Sequence, residues 1–264
     1  MSAAPDIGIE GIGVWAPQLP DWSAARNMLC GNVEQAADST RPTAAILPAG
    51  ERRRAPESVL IAVEAAQQAC AMARRDPREL AHVFASAYGD LAINDYLCAT
   101  LARAPLEVSP TKFHNSVHNA AAGYWTIASG CMRASTAVSA GAASFGAGLL
   151  EAAVRAGGES EPVLLVAYDI AASGPLRDVI ASRSAFAVAL VLAPRSASAL
   201  ARLHLRLDDG AAPLAPTPPL LHASHRGNPA AASLPLLAAL ARREPGRLNL
   251  AAGPALSLNL EISI

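Results

Sequence analysis

What most constrains this chain is a regular alternation. Short β-prone apolar runs take turns with longer stretches whose apolar residues recur at helical spacing, from residue 7 to residue 192. Residues 7–15 read as a strand closed by Pro17 and Pro20, and Asp21 stands where it can cap a short helix. From Pro56 onward Val59, Leu60, Val63, Ala66, Ala69 and Cys70 mark one helical face, which runs to Arg75 and ends at Asp76-Pro77. Residues 80–88 read as a buried strand, and after Gly89-Asp90 a further helix reaches about Arg103. Asn115 or Asn119 can cap a helix through Ser129, residues 135–139 are a short β-prone run, and residues 141–155 form a helix. Small residues, Ala143, Ala147 and Gly148, line one face of that helix and permit close backbone approach. Residues 163–168 and 185–192 are two more apolar strands. About five strands alternating with helices imply an α/β layered fold whose central sheet is covered on both faces.

Two stretches carry loop signals. Residues 37–55 hold Pro42, Pro48 and Gly50, and Ser109-Pro110 opens a second loop. After Pro194 the character changes: Leu203, Leu205 and Leu207 alternate with Arg202, His204 and Arg206, the pattern of a strand with one wet face. An Ala- and Pro-rich crossover at residues 209–232 follows, then a helix begun by Ser233 and Pro235 and reaching Arg243. Leu256, Leu258, Leu260, Ile262 and Ile264 alternate with polar residues in a final strand. The expected organisation is one complete unit over residues 1–194, with a strand-helix-strand extension over 195–264 packed on the same core.

Composition excludes several partners. With 264 residues the chain can bury a substantial core, while a net charge of -1 and 16% charged residues give no reason to expect nucleic acid or an anionic membrane. A chain that is 52% hydrophobic and so lightly charged hides apolar surface somewhere, and a subunit interface is the natural place. Cys30, Cys70, Cys98 and Cys131 lie at wide, unmatched spacing, which reads as reduced thiols with no metal signature. The N-terminal segment has acids early and neither a basic nor an apolar leader region, and no apolar run is long enough to span a bilayer. The expected location is therefore the cytoplasm.

Several residues carry chemistry in principle. His114 and His118 are four apart, as in helical metal sites, but no Glu follows His114 and no third ligand is evident, so hydrogen bonding to backbone or to a neighbouring subunit is expected and no metal or cofactor. The triplet Arg52, Arg53 and Arg54 is either an exposed basic turn or a grip for an acidic helix or a phosphopantetheine arm. Ala142-Ala143-Ser144-Phe145-Gly146 is a G-x-S-x-G elbow without its first glycine. With Ser139 or Ser144 as nucleophile, a triad would draw on His204, His222 or His225 and on an acid such as Asp208, making the chain a serine-dependent acyltransferase or thioesterase. Ordinary helix N-terminal serines, with His222 and His225 facing solvent, explain the same residues more simply.

The IEGIGVWAP opening, the strand ending VFASAYGD, the HNAAAGYWTI helix and the strand-helix junction at 135–150 together resemble the N-terminal half of β-ketoacyl synthases. The FHNSVHN…AGYW stretch, followed by SFGAGLLEA, is similar to the short chain-length-factor proteins of aryl polyene and xanthomonadin-type pigment clusters. The resemblance covers about two thirds of the chain and implies a thiolase-like layered fold. Family synthases place a cysteine nucleophile at the start of the helix after that strand, where amides and the helix dipole favour a thiolate. Here that column falls on Ala140, Gly141 or Ala142, none of which can attack a thioester, and the His-containing motifs of the second half are missing. The resemblance thus implies a non-catalytic subunit, without cofactor, that pairs with a full-length ketosynthase fed by acyl carrier protein and shapes its acyl tunnel. Residues 134–140 would form an interface strand, with Ser135, Ala137 and Ser139 on it, and Phe113, Ser116, Val117 and Ala120 would lie near the end of the partner's tunnel.

Overall fold

The computed structural model describes residues 6–32, 41–194, 196–210, 212 and 225–264. Among these, eight strands form one mixed sheet in the order β3-β2-β4-β5-β1-β6-β8-β7. The strands are β1 (Asp6–Trp15), β2 (Ala81–Ala85), β3 (Ser135–Val138), β4 (Val163–Asp169), β5 (Phe186–Pro194), β6 (Ala201–Asp209), β7 (Gly246–Gly253) and β8 (Leu256–Ser263). β2 runs parallel to both β3 and β4, and every other neighbouring pair is antiparallel. The helices are α1 (Trp22–Leu29), α2 (Ala49–Arg54), α3 (Glu57–Ala73), α4 (Leu91–Arg103), α5 (Pro110–His114), α6 (Ala120–Ser129), α7 (Ser144–Glu159) and α8 (Leu234–Arg242).

The opening strand shows how the sequence sorts the two faces. Ile7, Ile9, Ile12 and Val14 of β1 pack with α7 and α8 in one core, while Trp15 joins α3 in the other. The glycines between them are what α3 requires. A Cβ on Gly13 would stand 1.9 Å from the Ala65 carbonyl oxygen, and one on Gly11 2.2 Å from that of Ala69, so the helix lies directly on the bare backbone. A bulge between Ile9 and Gly11 keeps the isoleucines on one side despite the three-residue step from Ile9 to Ile12.

The alternation read from the sequence is present, with four differences. Residues 49–54 are helix α2, hidden in AGERRR because no apolar period marks it; Glu51 near its start and three arginines at its end suit the helix dipole. Ser109-Pro110 starts α5, with Ser109 Oγ accepting from the Lys112 amide and proline in the first turn. Strand β7 lies between α8 and β8, so the tail contributes three strands to the sheet. Its Leu248-Asn249-Leu250 alternation is too short a period to have declared it. Finally, α3 covers β1, β5 and β4, but the outward faces of β6, β8 and β7 stay open to solvent at His204, Arg206 and Glu261. Most of the crossover expected at residues 209–232, together with His222, falls outside the described residues.

Asp21, as its position suggests, caps α1 by accepting from the Ala24 amide at 2.9 Å. Asp90 does the same for α4, accepting from the Ile93 amide, while its second oxygen takes the Ser58 hydroxyl at 2.7 Å. Asn119 occupies the cap position of α6 without a side-chain bond to it. No described helix is long and apolar enough to cross a membrane.

Candidate functional site

Strand β3 is an edge of the sheet, and its four residues are exposed or half-buried. The carbonyls of Ala134 and Val138 accept from the amides of His82 and Ser86, so by the two-residue period of a ladder the backbone groups of Ser135 and Ala137 face outward, unpaired among the described residues. Thr136 and Val138 instead turn toward α7, where Arg155 donates to the Thr136 hydroxyl at 3.0 Å. The chain then passes through a tight turn, Gly141–Ala143, into α7. Gly141 has φ +56, and Ser144 closes the turn: its hydroxyl donates to the Gly141 carbonyl at 2.7 Å and accepts from the Ala140 amide at 3.0 Å.

This turn is packed from below. Strand β7 and the segment Pro229–Ser233 both rest against it. α7 lies so close to β7 that a Cβ on Gly146 would stand 2.1 Å from the Ala251 carbonyl oxygen. Gly148, singled out for its small size, would bring its Cβ to 2.7 Å from the Ala85 methyl.

Beside the junction, α2, α5 and α6 enclose a groove of ≈970 Å³. Leu47, Pro48, Val117, Ala120, Tyr124 and Ile127 supply its apolar walls, and Glu51, Arg54 and His114 its polar ones. Val117 and Ala120 are thus on this groove, whereas Phe113 and Ser116 are not among its walls. Phe113 is 65% exposed, Val117 52% and Ile127 84%, a concentration of large apolar side chains in water that a solitary soluble protein avoids. Ser116 is half-buried, its hydroxyl donating to the Phe113 carbonyl three residues back at 2.8 Å. Of the basic triplet, Arg54 pairs with Glu51 and Arg52 donates to the Thr43 carbonyl, so two of its three guanidiniums are engaged by their own chain.

A buried polar network that the sequence reading missed ties these parts together. Asp169, at the end of β4, accepts from the Ser86 hydroxyl at 2.9 Å and from the amides of Ala87 and Tyr88 at 3.0 and 3.2 Å. Burial pushes its carboxyl up to about 7, although these hydrogen bonds oppose the shift. The turn that Asp169 holds presents two carbonyls outward. That of Ser86 accepts from His118 Nε2 at 2.8 Å, and that of Ala87 from the Ser139 hydroxyl at 3.1 Å. The Tyr168 hydroxyl donates to the His118 carbonyl at 3.3 Å. A charged residue closing the apolar run VLLVAYD was the available signal.

The serine readings find little geometry. Ser144 is 1% exposed with its hydroxyl spent in the turn, and Ser139 bonds a backbone carbonyl, so neither meets an imidazole among the described residues. His204 and Asp208 lie on β6, on the far side of β1 from β3. His225 is buried, contrary to the solvent-facing expectation, because its ring packs on Phe186 at 5.0 Å and its Nδ1 lies 2.8 Å from the Ser184 hydroxyl. Burial pushes its imidazole down to about 4. Nor do His114 and His118 form a pair: His118 serves the Ser86 carbonyl while His114 faces the groove, and among the described residues no three metal-ligating side chains converge.

A mixed sheet with helices on its faces, and a helix starting at a tight turn beside the end of a parallel edge strand, define a thiolase-like α/β fold. The chain belongs to the family described as β-ketoacyl synthase, N-terminal domain, whose model matches residues 22–246. Among solved structures it is similar to a chain of the complex of the ketosynthase ApeO with its chain length factor ApeC from Xenorhabdus doucetiae. The identity is 25% and the TM-score 0.72, over 97% of this chain and 98% of that one. A chain of the AntDE:AntF assembly, a type II PKS acyl-carrier protein in complex with its ketosynthase bound to the hexaketide, gives a TM-score of 0.75 at 15% identity, covering 99% and 100%. A β-ketoacyl synthase from Burkholderia phymatum STM815 gives 0.61 at 16%, covering 86% of this chain and 70% of that one. The last two likenesses speak for the fold alone. Comparison with curated proteins finds no match.

Proposed function

We propose that this chain is a non-catalytic, chain-length-factor-like subunit that pairs with an active β-ketoacyl-ACP synthase and shapes its acyl tunnel in polyene or type II polyketide-like biosynthesis. One juxtaposition carries the reading. The strand-helix junction has only Ala140, Gly141 and Ala142 where the family's nucleophile belongs, and beside it lie an unpaired edge strand and a face of exposed apolar residues. Chemistry has no agent there, while association has both backbone groups and apolar area to use. The likeness at 25% identity to a chain of a ketosynthase and chain length factor complex, over nearly the whole of both chains, supports the same reading.

In this reading residues 1–194 correspond to one thiolase half and residues 195–264 to a reduced extension. Ser135, Ala137 and Ser139 belong to the strand that meets the partner. Phe113, Ser116, Val117 and Ala120 stand near the end of the partner's tunnel, and acyl carrier protein reaches the assembly through the ketosynthase. Co-expression with a full-length ketosynthase encoded beside this chain tests the pairing. A stable complex of the two chains, a heterodimer or higher, is the expected result, and a chain that remains alone in the presence of the ketosynthase overturns it. Within such a complex Val117→Trp should shorten the product, because the indole fills space the growing chain would occupy; an unchanged product distribution removes Val117 from the tunnel.

A further inference from the structure

On the α7 and α8 side of the sheet, where α1 meets the end of α8, lies a second cavity of ≈250 Å³. Its apolar walls come from Ile12, Leu200 and Leu240, and the half-buried indole of Trp22 stands among them. Two arginines, Arg26 from the last turn of α1 and Arg243 from the cap of α8, complete it. Among the described residues no carboxylate lines it. Neither guanidinium has a hydrogen-bond or ion-pair partner among the described residues. Arg242 beside them is different: it donates to the Leu29 carbonyl at 3.2 Å and lies 3.9 Å from Glu244, so the seam between the two helices is already served.

We propose that this cavity binds a small carboxylate carried on a compact apolar body, about the size of one aromatic ring. Arg26 and Arg243 both line the cavity, and the planar fork of a guanidinium matches the two oxygens of a carboxylate through charge-assisted N–H···O⁻ bonds roughly twice as strong as neutral ones. An anion bound there would gain the attraction of both cations. The size follows from the volume, since an apolar cavity of about 150 Å³ accepts benzene and the remainder here leaves room for the charged group. Leu200, 44% exposed on the rim, would be covered by the ligand's body. The site is independent of the groove among α2, α5 and α6, and of the edge strand β3, so it stands whether or not the chain shapes a tunnel.

Titration calorimetry with sodium benzoate at low ionic strength, on the full chain, tests the proposal. Benzyl alcohol and inorganic phosphate serve as comparisons, one keeping the ring without the charge and the other an anion without the body. Saturable benzoate binding is expected, at least about tenfold weaker in the double variant Arg26→Gln/Arg243→Gln, whose melting temperature confirms its fold, and at least about tenfold weaker for benzyl alcohol and for phosphate. Absence of saturable benzoate binding overturns the site. Equal benzoate affinity in the double variant overturns the role of the guanidiniums, and phosphate binding as well as benzoate overturns the assigned ligand class.

Discussion

The carboxylate of Asp169 at the end of β4 and the hydroxyl of Ser86 just past the end of β2 meet at 2.9 Å, and the turn they fix carries the carbonyls that hold His118 and Ser139. One buried acid therefore sets the relative position of the start of α6 and the β3 to α7 junction, the two segments proposed to face a partner.

That acid titrates in an accessible range. Its carboxyl is raised from 3.8 to about 7, so the folded state holds a proton that the unfolded chain releases. The contribution is fully present below 3.8 and is lost as pH rises through about 7, with a slope of at most about 1.4 kcal/mol per pH unit between them. Urea denaturation across this window should show stability falling as pH rises, and Asp169→Asn should flatten the dependence. An unchanged profile in the variant would assign the slope to other groups.

Glu10 behaves in the opposite sense. The Arg75 guanidinium holds it at 2.8 and 2.9 Å, and with the Ser196 hydroxyl keeps its carboxyl below 4.5 despite burial. This stability is present above 4.5 and lost as pH falls through the depressed value. Arg75→Ala leaves a buried carboxylate without its main partner and should cost about 1–3 kcal/mol at neutral pH. The difference from the unaltered protein should shrink in acid, as read by denaturation at about pH 7 and about pH 3.

The contact between α7 and β7 admits no side chain at residue 146. Gly146→Ala places a methyl on the Ala251 carbonyl and should destabilise the fold by about 1–3 kcal/mol or more. Gly123→Ala is the control on α6, where nothing lies within 4 Å of the added Cβ, and it should be neutral or stabilising by about 0.5–1 kcal/mol. Thermal melts of the two variants separate close packing from helix propensity.

Ala137→Pro probes the edge strand. Its amide points away from β2, so proline removes no bond of the native ladder and the melting temperature should stay within a few degrees. Association with a ketosynthase should be lost, because the same amide is what a pairing strand would use. Retained association would show that the partner does not add a strand at β3.

The period of the sequence was enough to place most strands and the long helices, since burial on one face of β6 or of α7 writes itself into every second or every third and fourth residue. It also showed the bare junction at Ala140, Gly141 and Ala142, which is a matter of residue identity alone. Helix α2 and the start of α5 escaped because each is short, and strand β7 because only Leu248 and Leu250 carry its alternation in large apolar residues. The sheet order, which makes β3 an edge and carries β7 round beneath the Gly141–Ala143 turn, depends on which strands find each other across more than a hundred residues. So does the Asp169 network, which joins the ends of two strands 83 residues apart. Local pattern determines what each segment becomes, because backbone geometry and burial act over a few residues. Which segments meet is decided only by the packing of the whole chain, and the polar network and both cavities exist only once it has closed.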